Sequence, residues 1–204
     1  MEAYLALLLF VCILVMTPGP ANLLLLVVGS QYGMRNCIPF ISGLIVGKLV
    51  LNLTVGMGIG TVGAQYPHLN LLMKIASGGF IVYLAFRSWN GRMGRVGESK
   101  QSENKQDKKS YFSFLSGVVV HPLNPKAWAM VTLAWSNFGP SLGTLRTQTV
   151  LIVLTFAIVQ GIFHTVWAGA GAVLRYQFNE HTLIISRIFI TATVGIVVGS
   201  LIIL

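Results

Sequence analysis

Residues 119–130 read VVHPLNPKAWAM: two prolines, a histidine, an asparagine and a lysine set inside a long apolar run. Each proline removes a backbone donor and clashes with the preceding helical turn. A second apolar run carries a similar interruption at residues 16–22, MTPGPAN. In a hydrocarbon environment an unsatisfied carbonyl costs several kcal/mol, so such breaks persist only where protein or a water-filled cavity meets the freed groups. The two stretches are read here as one device used twice.

Of the 204 residues, 54% are hydrophobic and 9% charged, against about 25% charged in soluble domains. Mean hydropathy is +0.76. Apolar runs of about 20 residues, the length that crosses the hydrocarbon core, recur along the chain, which places it among integral membrane proteins. The net charge of +9 is not spread as a nucleic-acid surface, because Arg87, Arg92, Arg95, Lys100, Lys105, Lys108 and Lys109 cluster in one central connection. Clustering of that kind orients a membrane protein. Cys12 and Cys37 have no CxxC or ligand spacing and read as small buried hydrophobes. A cleaved leader is not expected, since Glu2 stands where a basic segment would be and the first apolar stretch is too long.

Six spans are predicted, at roughly 4–28, 38–62, 69–88, 112–135, 148–173 and 184–203. Residues 1–90 form a first three-helix half, 91–111 a basic linker and 112–204 a second three-helix half. The connection 89–111 is polar, Gly/Ser/Lys-rich and without periodicity, as expected of a flexible segment. With it in the cytoplasm, the short loops bearing Arg35, Arg175 and Arg187 fall on the same side and both termini on the periplasmic side. Three spans per half force the second half to run inverted relative to the first, an arrangement found in many transporters. The expected fold is therefore all-α, six transmembrane helices in two inverted repeats, with helices 1 and 4 broken.

Pro18 lies about 14 residues into the first span and Pro125 about 13 into the fourth, roughly 20 Å at 1.5 Å per residue. The spans enter from opposite faces, so both breaks land near mid-membrane, where paired broken helices build substrate sites. Candidate binding residues are Pro18, Gly19, Pro20, Asn22, Asn124, Pro125 and Lys126, with His121 one turn earlier. Unwound carbonyls suit an ammonium, while free amides and helix N-termini suit a carboxylate, so a zwitterionic amino acid is the natural guest. Lys48, about 15 Å into the second span, is costly there and is expected to face the same cavity or to prop up helix carbonyls. Gln160, His164 and Trp167 share one helical face. Gly43 and Gly47 form a small-xxx-small packing pair. No span carries Asp or Glu, which leaves His121, His164 or a lysine for proton coupling and removes the usual ligands of a divalent metal. Neither a metal nor any other cofactor is expected.

The PGPAN break, the Gly43-xxx-Gly47 element, the basic loop after span 3 and the NPKAW segment resemble the lysine-exporter (LysE/RhtB) family over the whole chain. The resemblance implies a bacterial inner-membrane exporter of amino acids or their derivatives, driven by an ion gradient and not an enzyme, with the motif residues around the pathway. A homodimer is compatible with it, with lipid and a small amino acid as the other partners and no nucleic acid. The chain departs from the family pattern at Lys48, where an acidic residue often follows the second glycine. A lysine there repels a cationic substrate and shifts the expectation to a neutral or acidic amino acid, or an acylated one. Two other classes of protein share parts of this pattern. A membrane thiol relay needs a cysteine beside each proline, and span 4 has none. A channel or structural subunit also tolerates mid-span breaks. No GxxxxGK[ST] loop is present to bind a nucleotide.

Overall fold

The computed structural model describes residues 1–59, 67–89, 112–177 and 182–202. The 91–111 linker lies outside the described residues. Eight α-helices are described: α1 (Glu2–Met16), α2 (Pro20–Tyr32), α3 (Met34–Thr54), α4 (Pro67–Ser88), α5 (Phe114–Leu123), α6 (Pro125–Asn137), α7 (Leu145–Gln177) and α8 (Thr182–Ile202). Among the described residues there is no strand.

At the two breaks and at Gly33, helices end where the sequence removes a donor or supplies a positive φ. α1 stops at Met16, and α2 starts on Pro20, whose fixed φ suits the first helical position. The two are bent by 54°. α5 and α6 meet at Asn124, again with proline first in the following helix. Pro122 was expected to share in this second break, but it stays inside α5. It has no N–H for the Val118 carbonyl four residues back, and that carbonyl is the atom against which Gly47 of α3 packs. The expected loop around Arg35 is also shorter than anticipated. Only Gly33, at φ 79°, separates α2 from α3, and Arg35 lies in the first turn of α3. Past Thr54 the chain continues as a π turn, Val55–Ile59, in which Gly58 takes φ 86°.

The exterior is apolar. Val150, Leu154, Ile158, Ile162 and Val166 recur every fourth residue along α7 and are all exposed, as are Leu5, Leu9 and Ile13 on α1. Polar groups are inside: Lys48 is 1% exposed, Gln160 1% and His164 2%. A water-soluble protein partitions these groups the other way; apolar-out with polar groups gathered within is the solution for a lipid solvent. Met34–Gly58 and Leu145–Leu174 are each long and apolar enough to cross a membrane, and the bent α1–α2 pair meets the same test.

Two apolar clusters hold the bundle together. One gathers Leu24, Leu25, Phe40, Leu44, Val120 and Ala168; the other Leu7, Val11, Leu51, Ala127, Ile152 and Phe156. Every central element passes from one cluster to the other through a polar position. In α3 Lys48 separates Leu44 from Leu51, and in α7 Gln160 and His164 separate Phe156 from Ala168. The two proline breaks occupy the corresponding places in α1–α2 and α5–α6. A polar layer therefore lies between two apolar ones.

Among the described glycines, the close approaches to backbone lie on the side of the first cluster. Gly43 packs on the Phe114 carbonyl, Gly29 on that of Ala168, and Gly171 on that of Leu26. A side chain at any of them would collide with the neighbouring backbone. On the far side of the polar layer, Gly56 meets the Trp135 ring instead.

Candidate functional site

Both breaks satisfy freed carbonyls with nearby side chains. Asn22 Nδ2 donates to the Val15 carbonyl (2.8 Å) and the Thr17 carbonyl (3.0 Å), and Thr17 Oγ1 donates to Leu14 O (2.8 Å). At the second break Asn124 Oδ1 caps α6 by accepting from Lys126 N (3.0 Å), while Trp128 Nε1 donates to Pro122 O (2.7 Å). Buried groups left unmet cost about 1–3 kcal/mol each. Asn22→Ala is thus expected to cost about 1–3 kcal/mol and Trp128→Phe about 1 kcal/mol, read as falls in the detergent-solubilised melting temperature in that order.

Lys126 joins the breaks. Its Nζ donates to Thr17 Oγ1 at 2.9 Å and to Thr17 O at 3.4 Å, across 109 positions of sequence. Gly19 makes room for this reach, since a Cβ there would stand 3.2 Å from the ammonium.

Between the breaks lies a cavity of about 30 Å³, room for a water or two. Its polar wall comprises Asn22, Lys48, His121, Asn124, Lys126, Gln160 and His164. Leu14, Val15, Ala127 and Met130 form an apolar wall. The Lys48 ammonium has no hydrogen-bond partner; the Phe156 ring, 5.2 Å from Nζ to centroid, faces it, a cation–π contact. His121 and His164 stack with centroids 5.7 Å apart and planes at 8°. The Gln160 amide donates to His121 Nε2. Gln160 Oε1 and both Nδ1 atoms have no partner.

The structure thus brings together Gly19, Pro20, Asn22, Lys48, His121, Asn124, Lys126 and His164. Pro18 is exposed on the outside of its break, and Pro125 serves as the first residue of α6. Trp167 packs on the first apolar cluster, away from the cavity. Sequence reasoning missed Thr17 as the anchor of Lys126, Phe156 beside Lys48, and the apolar wall. Only Thr17 had a signal, its hydroxyl adjoining the first proline. Among the described residues no group of three His, Cys, Asp or Glu could hold a metal ion.

An apolar exterior around a layer of buried lysines, imidazoles and amides at two helix breaks defines an all-helical membrane protein with a polar chamber at its centre. The profile of the LysE type translocator family matches residues 12–204, and the chain belongs to that family. Comparisons with curated proteins and with solved structures gave no match. Family members are transporters.

Proposed function

We propose that this protein is a secondary exporter that moves amino acids or their derivatives out of the bacterial cytoplasm across the inner membrane. Six spans form two inverted halves, 1–90 and 112–204, joined by the cytoplasmic linker 91–111, with both termini periplasmic. The observation that carries the reading is a single cavity walled by both helix breaks and holding the unpaired ammonium of Lys48. Uncompensated charge within a membrane protein is costly and marks a transport pathway, and half-helix ends at the midplane are the usual place of a substrate site. By the positive-inside rule the glycine contacts of the first cluster seal the cytoplasmic side. Alternating access would then open those contacts while the opposite side closes. His121 and His164, stacked beside Lys48, are the candidates for proton coupling.

An efflux experiment tests this. Cells producing the protein are loaded with a peptide mixture, and released amino acids and derivatives are quantified against a normally inserted Lys126→Met variant. Release of one or a few compounds, lost in the variant and after collapse of the proton gradient, is the expected result. Release that survives collapse of the gradient would favour a channel, and no release would remove the export reading.

A further inference from the structure

We propose that the chamber selects a carboxylate that lacks a free ammonium, such as an N-acylated amino acid, and binds it with Lys48 as its countercharge. The inference rests on the export reading for its biological setting but on the chamber's own atoms for its chemistry.

A zwitterionic guest needs acceptors for its ammonium, and several carbonyls beside the breaks already have donors. Leu14, Val15, Thr17 and Pro122 already accept from Thr17, Asn22, Lys126 and Trp128, and the His121 carbonyl accepts from Asn124 N. No acidic side chain lines the chamber. Glu2 is exposed at the far end of α1, and no other Asp or Glu lies in a described helix. Two lysines line the same space and repel a third ammonium.

What remains unmet is of the opposite character. The Lys48 ammonium is fully enclosed and without a hydrogen bond, so a carboxylate arriving there gains a charge-assisted contact that nothing in the protein now supplies. With the Gln160 amide donating to His121 Nε2, a neutral His121 carries its proton on Nδ1, another donor without a partner. Gln160 Oε1 is an acceptor without a partner, neutral like the other acceptors of a wall that holds no acidic side chain, and it suits an amide N–H. Leu14, Val15, Ala127 and Met130 supply an apolar wall for an acyl group or side chain. A carboxylate, a neutral donor and an apolar body together describe an N-acylated amino acid. The present cavity is smaller than such a molecule, so binding requires the chamber to widen.

The test uses the purified full-length protein in detergent, with ligand-induced shifts in melting temperature and titration calorimetry. N-acetyl-leucine, N-acetyl-methionine and N-acetyl-threonine are compared with the free amino acids and their amides. At least one acetylated compound is expected to bind about tenfold or more tightly than its free amino acid, with the amides not binding. Lys48→Met is expected to fold, melt at the same or a higher temperature because an uncompensated charge has gone, and lose the response. Gln160→Glu, which adds a carboxylate to the chamber, is expected to shift preference towards the free amino acid; this second variant keeps the test intact if Lys48→Met does not fold. Equal or tighter binding of the free amino acids, or no binding of any acetylated compound, overturns the proposal while leaving export standing. Binding of an acetylated compound without efflux from cells would overturn export and leave the chamber's chemistry standing.

Discussion

Gly171→Val is expected to abolish the folded protein, whereas Gly169→Val, two residues away on the same helix, is expected to leave it intact apart from a small change in helix propensity. A Cβ at position 171 would collide with the Leu26 carbonyl and press on Ser30 N of α2, while one at 169 meets nothing within 4 Å. Backbone cannot escape by changing rotamer, so α2 and α7 must separate along their whole contact. Overpacking ordinarily costs about 1–3 kcal/mol and occasionally more; here the displaced atoms belong to a helix that also packs on α8. Against a total stability of roughly 5–15 kcal/mol, failure to accumulate in the membrane is the expected outcome. Gly43→Val, directed at the Phe114 carbonyl, should behave in the same way. Fluorescence-detected size-exclusion of the membrane extract reads the result, and a monodisperse Gly171→Val peak of normal height would show the contact to be yielding.

Lys126→Met is expected to lower export at least about tenfold, equivalent to ~1.4 kcal/mol, at unchanged membrane abundance. Methionine keeps most of the stem and removes the ammonium that bonds Thr17. Loss of a hydrogen bond to a charged group costs about 1.5–3 kcal/mol, but the Thr17 carbonyl still accepts from Asn22 and the fold has a fallback. The chamber would lose one of its two cations as well as the link between the breaks. Lys126→Arg separates these effects, because it keeps the charge while its planar fork alters the geometry beside Gly19. Efflux from cells, normalised to inserted protein, gives both numbers. Wild-type export from Lys126→Met would place the residue outside the pathway.

Some of this organisation was legible in the sequence because its causes are local. Proline chemistry marks the breaks at Pro18–Pro20 and Pro125 whatever surrounds them. Helical spacing alone puts Gln160 and His164 on one face, and depth along the span singles out Lys48. The positions that escaped depend on register between helices. Phe156 lies beside Lys48 because α7 passes α3 at that height, which no spacing within either helix specifies. Thr17 becomes the partner of Lys126 only once two breaks far apart in sequence face one another. Pro122 stays helical where α3 comes close to the Val118 carbonyl at Gly47, a packing that local sequence does not specify. Of the carbonyls expected to await an ammonium, those of Val15 and Thr17 already accept from Asn22 and Lys126.

The joint at Gly33 has a mechanical consequence. α2 and α3 meet there through one residue, so neither can tilt without applying torque to the other. Four residues before that pivot Gly29 is seated on α7, and ten residues after it Gly43 is seated on α5. The seats lie on two arms of one lever. Lifting α2 from α7 loads the seat of α3 on α5, so on the export reading the contacts beneath the chamber give way together or hold together.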